Sequence, residues 1–375
     1  MSKDKNFAFE HIGARPSQGR NEIPRWCDYV EMLCLVTKGG FISRGEIIDA
    51  SFKEGKEFMP IDDLEDDLSE IDDFDASDDN EELPEDLDSQ RASVGSQAGQ
   101  VSDNINRIVD DWFNHLLSRS TMFGELYPFV IDVDSGTISM RKKISFTIYN
   151  KLYIYFLLAA NLKIFPKTLA TKITTDFEFI CFDTQKLMFP SSIDGIIGQT
   201  HLFAKNPESG GPFGGTAAEK YSHLAGLIGS SKTDLTHLKS RNYGDRGIDI
   251  VSFLSFKDDK AFGIPIILSQ CACSYSDWKK KQYDHHPDRY RQLLLFDVAY
   301  IRFMFIPFFY RNGSGQWYDA GEISTIVIDR LRLMRVLFNQ KKELFARAIP
   351  WADLILLNDA EDRQLFASYI LEDAA

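Results

Sequence analysis

The chain is poor in cysteine. Its 375 residues hold five: Cys27, Cys34, Cys181, Cys271 and Cys273. Their odd number and irregular spacing exclude a disulfide framework and point to a reducing, cytosolic setting. No CxxC pair with partners is present, so no structural zinc site is expected. Cys271 and Cys273 would share one face of a strand, but two thiols do not complete a site. Long apolar runs are missing as well. Leu152 to Ala160, the most apolar stretch, lies between Lys151 and Asn161 and is too short to span a bilayer, so no membrane partner is expected. The opening MSKDKNFAFE lacks the apolar centre of a secretory signal. Glycines 210–211 and 214–215 are not followed by Gly-Lys-Ser/Thr, which excludes a phosphate loop of that type. Basic residues are absent from one whole block. Residues 61–90 contain sixteen Asp and Glu and no Lys or Arg, against a net charge of −14 for the chain. The rest is therefore close to neutral, and the overall acidity does not exclude a nucleic-acid partner.

These shifts in composition divide the chain. Residues 1–53 read as a small helical segment, with Ser43 as the cap of its second helix. Residues 54–101 read as an acidic, largely disordered linker. Within it Ile61, Leu64, Leu68 and Ile71 recur on one helical face, the pattern of a segment that docks on a partner or on a basic cleft of its own chain. Residues 102–213 read as a mixed, mainly helical accessory region. Ser102 starts a helix, Phe129 to Met140 forms a hairpin around Asp134-Ser135-Gly136, and helices cover Phe146–Leu162 and about Thr175–Met188.

The chemistry is concentrated in residues 214–375. Thr216 is a helix N-cap with Glu219 three residues on, as in a capping box, and Tyr221, Leu224, Leu227 and Ile228 form an apolar face. Ile248–Val251 and Ile264–Leu268 are β-branched runs joined by the polar turn Lys257-Asp258-Asp259-Lys260. Asp249 falls inside the first run and Gln270 at the end of the second. A carboxylate in an apolar strand must face water, accept hydrogen bonds or hold a cation. Lys279, Lys280 and Lys281 follow on the next helix. Arg289–Val298 reads as a further helix, then Ile301–Phe309 and Ile323–Ile328 as strands. A helix over Asp329–Phe345 carries Arg330, Arg332, Arg335, Lys341 and Lys342.

Gly247-Ile248-Asp249-Ile250-Val251, then Ser269-Gln270-Cys271-Ala272 and the Trp278-Lys279-Lys280 helix, resemble the core of the PD-(D/E)xK superfamily of restriction-endonuclease-like nucleases. The resemblance covers about residues 215–310. It implies an α/β fold: a restriction-endonuclease-like mixed sheet flanked by helices, preceded here by a helical N-terminal accessory region. It also implies that Asp249 is the first metal-binding acid, that Gln270 stands at the second acidic position, and that Glu219 is the acid of the preceding helix. Ala272 occupies the usual lysine position, so the lysine role falls to Lys279 or Lys281 on the following helix.

The implied reaction is metal-dependent hydrolysis of phosphodiester bonds, DNA before RNA, with Mg²⁺ or Mn²⁺ as cofactor. Asp249, the Gln270 amide oxygen, the backbone carbonyl of Cys271 and Glu219 would hold the ion. Lys280, Arg330, Arg332 and Arg335 would contact phosphates. The large accessory region implies partner subunits such as an ATPase or a sensor, self-association among the options, in a cytoplasmic defence system against phage or plasmids. The other class of reading is a nuclease-fold module without activity that binds nucleic acid or serves as an interaction subunit.

Overall fold

A computed structural model describes residues 23–37, 40–52, 94–142, 146–189, 192–193, 196–203, 212–230, 235, 247–256, 263–290, 294 and 298–356. The acidic stretch 61–90 and the 257–260 turn lie outside them.

The centre is a six-stranded mixed sheet of order β4-β5-β6-β7-β8-β9: β4 (Ser192–Ile193), β5 (Ile196–Leu202), β6 (Ile250–Phe256), β7 (Ile266–Cys271), β8 (Ile301–Phe305) and β9 (Ile326–Ile328). β5, β6 and β7 form an antiparallel meander, in which Ile250 faces Ser269 and Val251 faces Leu268. The chain then crosses over through α7 (Trp278–Lys281) and α8 (Pro287–Tyr290) and adds β8 and β9 parallel to β7. β7 is buried along five of its six residues, which explains its continuous apolar run rather than an alternating one.

Helices cover both faces. α5 (Lys167–Met188) lies against β5, β6 and β7. Its contact holds a buried polar seam. Gln185 donates to Ser252 Oγ (2.7 Å) and accepts from Ser269 Oγ (2.5 Å), and Thr200 bonds Ser252 (2.9 Å). α6 (Ala217–Ile228) packs with Val251, Phe253 and Leu268 on the opposite face.

The N-terminal helices share the sheet's core. α1 (Ile23–Val36) and α3 (Val94–Phe123) belong, with α4 (Ile148–Ala159), α9 (Arg330–Leu337) and α10 (Ile349–Leu356), to one buried cluster that reaches Ile250, Phe305 and Ile328. A small sheet of β1 (Phe41–Ser43), β3 (Thr137–Met140) and β2 (Phe129–Asp132) closes that end, next to α2 (Arg44–Phe52). The α1, α3, α4 and α9 helices meet at a group of buried charges. Asp28 and Glu31 face Arg119 and Arg330, with Arg119 to Asp28 at 2.5 Å, Arg119 to Glu31 at 3.0 Å and Arg330 to Asp28 at 2.9 Å. Tyr127 and Tyr153 donate to Glu31 at 2.8 and 3.0 Å, and Arg330 Nε donates to the Pro307 carbonyl at 2.7 Å. Burial pushes the Glu31 carboxyl above its ordinary value, and the Arg119 guanidinium opposes that push.

The hairpin, the mixed sheet and most helices lie where the sequence places them. Three differences matter. α3 starts at Val94, eight residues before Ser102, inside the stretch expected as linker. The division at 213/214 is not a division of the fold, because β5 comes from before it and pairs along its whole length with β6. The helix expected over Arg289–Val298 is one turn, Pro287–Tyr290, among the described residues. None of the described helices is long and apolar enough to cross a membrane.

Two predictions follow from the buried charges. Arg330→Leu leaves Asp28 and Glu31 with one guanidinium between them and should cost about 3–5 kcal/mol in urea unfolding, whereas Arg335→Ala on the exposed side of the same helix should stay within about 0.5 kcal/mol. The second concerns pH. His115 and His285 are buried, and burial brings each imidazole down from 6.5 to about 4. The fold holds both neutral, while the unfolded chain takes up their protons below pH 6.5. Their contribution is complete above pH 6.5 and is lost as pH falls toward 4, so each should cost about 2 kcal/mol at pH 5. Denaturation midpoints at pH 7.5 and pH 5 read this, and replacing either histidine should flatten the slope.

Candidate active site

Asp249 sits at a bend immediately before β6, directly across from the end of β7. Its backbone is held on both sides: its N–H donates to the Ser269 carbonyl (2.9 Å), and its carbonyl accepts from the Phe203 N–H (2.7 Å). Its carboxylate accepts from the Cys271 N–H at 2.6 Å. The two strands therefore bring Asp249 and Gln270 opposite one another.

Gln270 is 5% exposed. Its Nε2 donates to Asp284 Oδ2 at 3.2 Å, in the turn between α7 and α8. A carboxylate partner fixes which end of the amide is the donor, since an oxygen turned toward Asp284 would be repelled. The other end, Oε1, is buried and accepts no hydrogen bond among the described residues. A buried acceptor in that state costs about 1–3 kcal/mol, which a bound cation or donor would offset. Gly247 locks the arrangement. It stands at φ +87°, and a Cβ there would lie 2.4 Å from Asp284 Cβ.

Two charged residues that the sequence reading did not single out lie close by. Lys220 on α6 is 2% exposed, and its ammonium donates to the Phe203 carbonyl at 3.1 Å, on the residue whose N–H binds the Asp249 carbonyl. Its place among the buried positions Ala217, Tyr221 and Leu224 was the available signal, because a lysine in an apolar stripe needs an acceptor or an anion. Glu178 lies half-buried on α5, the helix that precedes β5. Glu178 and Asp249 both bear on the thiols of Cys181, Cys271 and Cys273. Burial, first of all, pushes these three thiols up, so they stay protonated and are poor nucleophiles and poor metal ligands.

The structure corrects several expected roles. Glu219 is exposed and spent on its own helix. Its carboxylate accepts from the Thr216 N–H (2.7 Å) and hydroxyl (3.0 Å), which hold it below its ordinary value, so capping, not the site, explains it. Lys279 pairs with Glu322, and its ammonium lies 5.7 Å from the Tyr310 ring centroid, so it is committed elsewhere. Lys281 is the lysine of that helix whose charge reaches the Cys273 thiol, two residues beyond Cys271. Arg330 is fully buried in the Asp28–Glu31 cluster and cannot meet a phosphate. Arg332 is half-buried, donates to the Val327 carbonyl (2.5 Å) and stacks 4.9 Å from the Trp317 ring centroid. Lys280 and Arg335 are exposed.

Among the described residues no three His, Cys, Asp or Glu side chains converge as a metal group. Two aspartates flank Gln270, Asp249 through the Cys271 N–H and Asp284 through the Gln270 Nε2. They are hard oxygen donors, the kind Mg²⁺ or Mn²⁺ takes, and Mg²⁺ is commonly held by only one or two carboxylates with water completing the shell. The Cys271 backbone contributes its N–H to Asp249. Compared with known protein families, curated proteins and solved structures, the chain shows no match.

Gly247→Ala tests how tightly the site is built. It adds strain at positive φ and drives a methyl into Asp284, so it should lower stability by about 1–3 kcal/mol in chemical denaturation. Gly263→Ala also sits at positive φ but would press only on Val298 at 3.0 Å, and should spare the site.

Proposed function

We propose that the chain is a metal-dependent nuclease that hydrolyses phosphodiester bonds of DNA. The observation that carries this reading is the buried Gln270 Oε1, which accepts no hydrogen bond among the described residues and belongs to the residue just before the Cys271 N–H that holds Asp249. The order of elements supports it as well: a helix, a three-stranded meander, a crossover and a parallel strand suit the restriction-endonuclease-like core that the motif implies.

In this reading Asp249 and Gln270 Oε1 would hold a cation, which would supply charge neutralisation at the phosphate and activation of a water. The Cys271 N–H fixes one oxygen of Asp249, so the carboxylate keeps its orientation through the reaction. Asp284 holds the Gln270 amide so that its oxygen stays turned inward. Lys220 or Lys281 supplies the positive charge that Ala272 cannot.

A second reading, a nuclease-fold module that binds nucleic acid without cutting it, draws on Ala272 at the lysine position and on the Lys279–Glu322 pair.

Cleavage assays decide between them. Supercoiled plasmid, linear duplex and single strands would be incubated with Mg²⁺, Mn²⁺ or EDTA. The nuclease reading expects metal-dependent cutting that Asp249→Ala and Gln270→Ala reduce by about a hundredfold or more, with melting curves close to wild type. Cutting unchanged in both variants would sink the site assignment. Salt-dependent binding with no cutting under any metal would establish the second reading.

A further inference from the structure

A cavity of about 530 Å³ opens beyond the carboxyl end of β7, on the strand that carries Gln270. Its walls come from segments far apart in sequence: Arg25 and Tyr29 of α1, Lys163 and Lys167 around the start of α5, and the Cys273–Asp277 loop that leaves the sheet. Its size is that of a small-molecule site, in the range of about 300–1,000 Å³. Its position follows the general rule for open α/β sheets, in which ligands bind outside the carboxyl ends of the strands.

The lining has two characters. One is cationic: Arg25, Lys163 and Lys167 stand against a single acid, Asp277, whose carboxylate accepts from the Ser274 hydroxyl at 2.7 Å. The other is flat and largely apolar. Tyr29 is 6% exposed, and the Arg25 guanidinium lies 5.7 Å from the Tyr275 ring centroid, which makes a planar cation and a ring adjoining parts of one wall. Inorganic phosphate would satisfy the cations and leave the apolar part of the wall without a partner. An apolar ligand would cover the rings and desolvate three cations without compensation. A ligand that suits both has a phosphate at one end and a flat ring at the other.

We propose that this cavity binds a nucleoside phosphate, with Lys163, Lys167 and Arg25 on the phosphate and Tyr29 and Tyr275 against the base. The site is distinct from the Asp249–Gln270 centre and does not depend on the nuclease reading. It shares β7 with that centre, since Cys271 binds Asp249 and Cys273, two residues on, lines the cavity.

Isothermal titration calorimetry tests this on the full chain carrying Asp249→Ala, so that hydrolysis does not blur the heats. The probes are adenine and guanine nucleoside mono-, di- and triphosphates, the matching nucleosides, inorganic phosphate and a short DNA single strand. At least one nucleotide is expected to bind in the micromolar range, with its nucleoside and inorganic phosphate each weaker by about tenfold or more. Lys163 and Lys167 are exposed, so Lys163→Glu/Lys167→Glu should keep the melting curve while weakening the nucleotide by about tenfold or more. No nucleotide of the panel binding below about 1 mM would overturn the proposal. So would nucleotide binding that the double variant leaves unchanged. Binding of the single strand that the double variant abolishes, with the nucleotides silent, would reassign the surface to nucleic-acid backbone.

Discussion

Four charges that water cannot reach hold the two ends of this chain together. Asp28 and Glu31 come from the first described helix, Arg119 from the long third helix and Arg330 from the helix after the last strand. Buried ions of this kind add little net stability over apolar residues of the same shape, but each is costly once its partner is gone. The geometry is therefore strongly constrained. α1, α3, α4 and α9 must meet at one point, with Tyr127 and Tyr153 supplying the remaining hydrogen bonds to Glu31. The N-terminal helices are consequently part of the body that carries the sheet.

That constraint reaches the candidate site through the strands. The Gln185–Ser252–Ser269–Thr200 seam fixes how α5 sits on β5, β6 and β7. A slip of one residue would leave those hydroxyls facing apolar side chains and would also separate Asp249 from Gln270. The register that satisfies the seam is the register that assembles the site.

Much of this was legible in the sequence. The pairing of Asp249 with Gln270 could be read because both residues interrupt β-branched runs, and the connecting turn sets their strands antiparallel. The strand ahead of α6 could not be identified. β5 reads Ile-Ile-Gly-Gln-Thr-His-Leu, and its glycine and polar residues hide it as a strand. α6 lies between β5 and β6, and its capping box accounts for Glu219. Arg330 was misread for a different reason: charge spacing along a helix cannot distinguish a solvated face from one that meets buried acids some 300 positions earlier. Asp284 needed the tertiary structure, because it gains its meaning from a side chain on another element.

The separation between Asp28 and Arg330 also bears on how the protein is made. Their hydrogen bond spans 302 positions, whereas Arg119 lies 91 positions from Asp28. As the chain leaves the ribosome, α1 and α3 can meet early with two carboxylates and one guanidinium between them. The second guanidinium arrives only after β9, when most of the polypeptide has emerged. Until then the N-terminal helices carry an excess negative charge on the surface that will become their core, which opposes premature collapse there. Closure of the body is thus deferred to the end of synthesis, and a ribosome-stalled fragment ending before α9 would lack the charge that completes it.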